Sequence, residues 1–169
     1  MHAVVFTQSV EAHHTICSTV SRAGFTVYEI AGSTNIKKRH KAIRDFQASE
    51  PRPKVFVLTM KTGSCGITLT AATRVYLMEP CIDPAHELQA AGRIHRLGQS
   101  KDVLCKRFVF RSTYEEQVVE LHRQLKSGQA ELTDGQLSGK LFKLVTKKLK
   151  KVKPAKKAMK AGAAAADGG

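Results

Sequence analysis

The run Val55-Phe56-Val57-Leu58 constrains this chain more than any other stretch. Four consecutive apolar residues without polar alternation describe a strand buried on both faces, so the sheet that holds it must carry helices on both sides. The flanking sequence supplies them. Residues 3–6, 26–30, 74–78 and 104–110 also read as strands. Between them, residues 9–23 form a helix with Ile16 and Val20 facing inward and Gly24 as its stop. Residues 35–48 form another, on the spacing of Ile36, Ile43 and Phe46. Pro51 and Pro53 break the chain before the apolar run. Asp83-Pro84 places an N-cap and a first-turn proline at the head of a third helix. Ser112-Thr113-Tyr114-Glu115 is a capping box for a fourth, which carries Val118, Val119, Leu121, His122 and Leu125. This alternation predicts an α/β fold, a parallel sheet with helices on both faces. Ligands in such folds gather at the carboxyl ends of the strands. The Gly-rich turn at residues 63–66 and the entry to the Asp83 helix both lie at such ends.

Charge is unevenly spread over the 169 residues. The formal net charge is +14, and residues 138–169 hold ten lysines against one acid, Asp167, whereas residues 1–137 hold 18 basic and 13 acidic residues. A polyanionic partner is expected, nucleic acid first. From about Gln136 to Val152 the pattern predicts a basic amphipathic helix. Leu137, Leu141, Leu144, Val145, Leu149 and Val152 form its stripe, and Lys140, Lys143, Lys147, Lys150 and Lys151 surround it. Beyond Pro154 the Lys/Ala-rich sequence predicts disorder. The expected organisation is a globular domain over residues 1–127, a linker and basic helix over 128–153, and a tail over 154–169. The tail lysines suit phosphate contact without base reading. Lys147-Lys148-Leu149-Lys150-Lys151 also fits a nuclear import signal, and simple solubility or a membrane-surface helix are the other readings. No apolar run reaches transmembrane length, and no membrane partner is expected. Cys17, Cys65, Cys81 and Cys105 include no Cys-x-x-Cys pair, so reduced thiols are expected.

The segment Gln89-Ala90-Ala91-Gly92-Arg93-Ile94-His95-Arg96-Leu97-Gly98-Gln99 carries the chemistry. On a helix, Gln89, Arg93 and Arg96 fall at i, i+4 and i+7 and form one stripe. Arginine's planar fork suits phosphate oxygens, and a positioned arginine stabilises the charge of phosphoryl transfer. Gly92 costs about 1 kcal/mol inside a helix, which implies close packing there. His95 either orients its neighbours or is structural. Gly63 and Gly66 allow a tight turn and close approach to a phosphate. Gly32, Ser33 and Thr34 offer backbone and hydroxyl donors at a helix start, or serve only to cap it. Lys37, Lys38 and Arg39 follow, as phosphate contacts or as a solvated face. Asp83 is explained as an N-cap, which leaves little catalytic role for it or for Glu79.

Three segments in order carry a family resemblance. Residues 59–70, Thr-Met-Lys-Thr-Gly-Ser-Cys-Gly-Ile-Thr-Leu-Thr, resemble helicase motif V. Residues 89–99 resemble motif VI, and the ending His95-Arg96-Leu97-Gly98-Gln99 is the SNF2 form, where DEAD-box helicases usually read His-Arg-x-Gly-Arg. Gly32-Ser33-Thr34 resembles motif IVa. Over roughly residues 3–125 the chain is therefore similar to the second RecA-like lobe, a P-loop-NTPase-type fold, of an SNF2-family DNA-dependent ATPase. Thr62-Gly63-Ser64-x-Gly66, and Glu79-Pro80 with Pro84-Ala85-His86-Glu87-Leu88-Gln89, resemble the SHPRH-type branch, whose members are nuclear, RING-containing ubiquitin ligases with a DNA-repair role. Ala31 where an Asp is usual, Ser64 for a glycine, and Glu79 for an Asp depart from the pattern.

The resemblance implies specific roles. Arg93 and Arg96 would be arginine fingers to a γ-phosphate, with Gln89 ordering the phosphate or attacking water and Gly66 beside the nucleotide. Gly32, Ser33, Thr59, Lys61, Thr62, Gly63 and Ser64 would meet double-stranded DNA. ATP and Mg²⁺ would be held mainly by a first lobe, because this sequence has no Gly-x-x-x-x-Gly-Lys-Ser/Thr loop and no Asp-Glu-x-His motif. No metal ligand is assigned within this chain. The expected activity is half of an ATP hydrolase site, inactive alone, in a nuclear chromatin or DNA-repair factor. The first lobe would lie on the same parent protein, of which this is a fragment, or on a separate chain. The alternative is a non-catalytic DNA- or chromatin-binding module acting through its lysine tail.

Overall fold

A computed structural model describes residues 2–63 and 66–129, with the backbone of residues 132–133 and 136–137. Five strands form one sheet: β1 (His2–Thr7), β2 (Thr26–Ile30), β3 (Lys54–Thr59), β4 (Arg74–Leu77) and β5 (Leu104–Arg107). Their order is β2-β3-β1-β4-β5, and every pairing is parallel. Helices α1 (Val10–Arg22), α2 (Ile36–Gln47), α4 (Pro84–Ala91) and α5 (Tyr114–Lys126) supply the connections and the close of the domain, and α3 (Met60–Gly63) is a single turn directly after β3. This is the parallel sheet that the alternation of strand and helix predicts, and the RecA-like arrangement that the resemblance implies.

Side chains alternate across the sheet as strand geometry requires. Val4, Phe6, Phe56 and Leu58 point to the α2 face, where they pack with Phe46, Val75, Leu77, Ala90 and Ile94. Ala3, Val5, Val55 and Val57 point to the other face, against Ile16, Cys17 and Val20 of α1. The central strands are thus covered on both sides, which is why residues 55–58 tolerate no polar member.

A polar residue nevertheless opens that strand. Lys54 is fully buried, and its ammonium donates to Asp45 O at 2.7 Å and Ala48 O at 2.9 Å, with Glu50 at 3.4 Å. It satisfies carbonyls at the end of α2, where the helix dipole favours a cation.

Several expected boundaries move. The strand expected over 104–110 stops at Arg107; Phe108 N still donates to Leu77 O, but Ser112 then takes φ 60 in a turn. That turn displaces the capping box by one residue. Thr113 is the N-cap, accepting from Glu115 N, and the Glu115 carboxylate accepts from Phe110 N. The basic helix expected from Gln136 does not include its first two residues, because β7 (Gln136–Leu137) pairs antiparallel with β6 (Leu132–Thr133). The remainder of that helix, the 154–169 tail, Ser64 and Cys65 lie outside the described residues.

Candidate functional site

Parallel register brings the strand ends level. Thr7 of β1 stands opposite Thr59 of β3, and Phe6 opposite Leu77 of β4. The loops after β1, β2, β3 and β4 therefore rise from one edge, which carries the turn at residues 31–34, the turn of α3 and the start of α4. Glu79 ties two of these exits together. Thr7 Oγ1 donates to its Oε1 at 2.5 Å, and Gln8 N donates to its Oε2 at 3.1 Å. Gln8 also donates through Nε2 to Pro80 O. Asp83 caps α4 by accepting from Ala85 N at 2.8 Å, as its position before Pro84 implied.

After β3 the chain tightens at once. Thr59 and Thr62 share a hydroxyl hydrogen bond of 2.7 Å, and Thr59 Oγ1 accepts from Thr62 N. These two hydroxyls hold the turn of α3, while Lys61 between them is exposed. The two glycines here answer to different demands. Gly66 has φ +68, a left-handed conformation that side chains rarely adopt. Gly63 is needed for space, since a Cβ on it would stand 2.6 Å from Cε1 of the fully buried Phe6. Gly63→Ala is expected to cost about 1–3 kcal/mol through overpacking, measurable by urea unfolding. After β2, residues 31–34 form a turn in which Thr34 N donates to Ala31 O and Ala31 N donates to Thr34 Oγ1. Gly32 and Ser33 are exposed at its tip, and Asn35 caps α2 through Lys38 N.

The arginine segment departs from the expected helix. α4 ends at Ala91, with Gly92 as C-cap, and residues 92–98 form successive turns. Gln89 is exposed on the last turn of the helix, whereas Arg93 and Arg96 sit in the loop beyond it, so the three do not make one helical stripe. Gly92 at a helix end also removes the mid-helix penalty that its sequence position suggested. The loop is instead pinned onto the end of motif V. Leu69 N donates to Arg93 O at 2.9 Å, and Arg96 Nη1 donates to Thr68 Oγ1 at 3.1 Å. Gln99 Nε2 donates to both Thr70 O and Ala72 O at 2.9 Å, and Ile94 is fully buried. Arg93 is half-buried; Arg96, His95 and Gly66 are exposed. Motifs V and VI thus form one hydrogen-bonded unit.

Sequence reasoning gave Glu87 no role. It is buried on α4, paired with Arg107 at the end of β5, and it accepts from Cys81 N at 2.9 Å. His122 Nε2 lies 2.6 Å from Cys81 O, bringing α5 to the same point. These bonds set where α4, and hence the arginine loop, stands on the sheet. A signal existed: a glutamate on α4 beside the buried Ala90 needs a cationic partner. Which cation that is depends on the tertiary fold.

Burial pushes the Cys81 thiol up to about 12, helped by Glu87 and Glu79 and opposed by Arg107. The folded state disfavours the thiolate. Its contribution to stability is therefore complete below the ordinary thiol value of 9.0 and lost as pH climbs toward 12. At pH 8, Cys81 is expected to alkylate at least about tenfold more slowly in the folded chain than in urea, read by peptide mass spectrometry. Among the described residues, Cys17, Cys81 and Cys105 are free thiols.

The donors around motifs V and VI suit a phosphate better than a hydrated metal. Arg96, Gln89 and the exposed turn donors offer N–H groups to oxygens. The nearby carboxylates are engaged, Glu79 by Thr7 and Gln8, Asp83 by its cap and Glu87 by Arg107.

A parallel five-stranded sheet with a glycine turn after β3, and turn-borne arginines bonded to the segment between β3 and β4, is the arrangement of a helicase-type RecA-like lobe. Comparison with known proteins agrees. The helicase conserved C-terminal domain matches residues 1–98. The SNF2 domain-containing protein ENL1 of Oryza sativa subsp. japonica is 32% identical over 120 residues, covering 71% of this chain and 12% of that protein. The E3 ubiquitin-protein ligase SHPRH of Homo sapiens is 40% identical over 90 residues, covering 53% of this chain and 5% of that protein. The crystal structure of the C-terminal part of the Fun30 ATPase domain superposes with a TM-score of 0.72 at 24% identity, covering 86% of this chain and 47% of that one. The chain belongs to the helicase conserved C-terminal domain family, in its SNF2 form. It spans only a small part of these full-length relatives.

Proposed function

We propose that the chain is the arginine-bearing half of an ATP-driven double-stranded-DNA translocase. It closes on a first RecA-like lobe that holds most of ATP and the Mg²⁺ ion. The reading rests on the hydrogen-bonded unit of motifs V and VI, in which Leu69 N meets Arg93 O and Arg96 meets Thr68. ATP supplies the phosphoryl group for hydrolysis. Arg93 and Arg96 neutralise charge at its γ-phosphate, Gln89 orients the phosphate or water, and Gly66 gives close backbone approach. Gly32, Ser33, Thr59, Lys61, Thr62, Gly63 and Ser64 line the DNA backbone. Because Thr59 and Thr62 are bonded to each other, Lys61 and the exposed turn at Gly32-Ser33 carry most of that contact. Movement of DNA along the motif V turn is then felt at the arginines through the shared hydrogen bonds. The parent protein acts in the nucleus, on chromatin or nucleosomes or in DNA repair, with ubiquitin-ligase machinery in its other domains.

Steady-state ATP hydrolysis with saturating double-stranded DNA tests this. The isolated chain is expected to be inactive, and a first lobe added as a separate polypeptide is expected to restore activity. DNA-stimulated hydrolysis by the chain alone would refute the half-site.

The charge of residues 138–169 favours a second reading, a DNA-holding module that needs no catalysis. If about six tail lysines engage phosphates, the slope of log K against log salt is roughly −5, and truncation after residue 137 abolishes most of it. A slope unchanged by truncation would place DNA binding on the lobe.

A further inference from the structure

On the sheet face away from α2, the first turns of α1 pack beside the edge strand β2. Here His13, His14 and Glu29 bring three ligand atoms within 4.8 Å of one another. His13 is buried, with Nε2 3.4 Å from Val57 O and Nδ1 3.7 Å from Glu29 Oε2. Both of its neighbours are hydrogen-bond acceptors. A neutral imidazole has one N–H and one lone pair, so whichever nitrogen holds the hydrogen, the other aims its lone pair at an oxygen. A cation between Nδ1 and Glu29 removes that conflict. Nε2–H then donates to the Val57 carbonyl while Nδ1 binds the ion, the arrangement usual for metal-ligating histidines.

The surroundings support the same occupant. The Cys17 thiol, one turn along α1, donates to Glu29 Oε2 at 3.2 Å and holds the carboxylate toward His13. His14 stands edge-on to His13 with ring centroids 5.5 Å apart, and both it and Glu29 are open to solvent. An ion can therefore enter without opening the core.

We propose that His13, His14 and Glu29 form a binding site for a borderline divalent cation, zinc being the best match, with water completing its coordination. Two imidazoles and one carboxylate suit zinc, whereas calcium and magnesium require more oxygens. Tetrahedral zinc with ligands at about 2.0–2.2 Å holds its ligand atoms roughly 3.3–3.6 Å apart, so the Nδ1–Oε2 pair needs almost no movement and the exposed His14 ring closes the set. The ion would pin α1 to the outer strand three residues before Gly32.

The competing occupant is a proton on His13, and zinc titration separates the two. Calorimetry on the full chain at pH 7.5 is expected to give one site per chain, and saturating zinc to raise the melting temperature by about 5 °C, while magnesium does neither. His14→Ala and Glu29→Gln, both at exposed positions, are each expected to weaken zinc at least about tenfold while leaving the zinc-free melting temperature near that of the parent. Absence of binding at about 100 μM zinc, or an affinity unaltered by both substitutions, would overturn the site.

Discussion

Replacing Arg96 by alanine, in a lobe reassembled with a first RecA-like lobe and DNA, is expected to lower ATP hydrolysis by about 10³-fold or more, with Arg93→Ala comparable. The two substitutions should differ in their side effects. Arg96 is exposed and its side chain bonds only to Thr68 Oγ1 among the described residues, so its loss leaves the loop standing. Arg93 is half-buried in the turn that Leu69 N holds through a backbone oxygen, so its loss also carries a small stability cost. Lysine at either position should rescue poorly, because a point charge lacks the bidentate fork. Single-turnover hydrolysis beside DNA-binding affinity makes the check. A deficit below about tenfold for both arginines, with affinity intact, would remove them from the reaction centre.

Glu87→Ala is expected to destabilise the domain by about 3 kcal/mol in urea unfolding. That is the low end for a broken buried ion pair, because the Arg107 side chain keeps 31% of its exposure while that of Glu87 keeps 6%. Cys81 N loses its acceptor in the same step. Glu87→Gln should cost less, since an amide oxygen can still accept from Cys81 N. The substitution also loosens α4, on which Gln89 rides and from which the arginine loop departs. Reassembled hydrolysis should therefore fall in Glu87→Ala even at temperatures where the domain remains folded. A stability change under about 1 kcal/mol would show the pair to be ornamental.

Much of the layout could be read from local pattern. The apolar run at 55–58, the cap at Asp83 and the stop at Gly24 depend on neighbours in sequence, and the structure keeps each of them, whereas the cap of α2 falls on Asn35, which the pattern had placed inside the helix. Long-range chemistry was not legible in the same way. Lys54 reads as the polar residue before a strand, and only the fold brings the end of α2 over its ammonium. Glu87 and Arg107 are 20 residues apart and meet because β5 pairs with β4. The arginine stripe was misplaced because helical spacing was extended through Gly92, where burial of Ile94 and the bonds to residues 68–72 turn the chain out of the helix. The motifs can be read in the sequence, and the hydrogen bonds that join them cannot.

The sheet's two borders differ in kind. β2 is flanked by helices on both faces, whereas all four residues of β5 are exposed and its outer rim faces away from β4. An open rim is a template onto which a foreign strand can add. Lys106 is the one charge there not already committed to an ion pair, for Arg107 is held by Glu87. Concentrated samples of the lobe will thus polymerise, if they do, by growth from β5. A second lysine at Leu104 would be the conservative way to keep them monomeric.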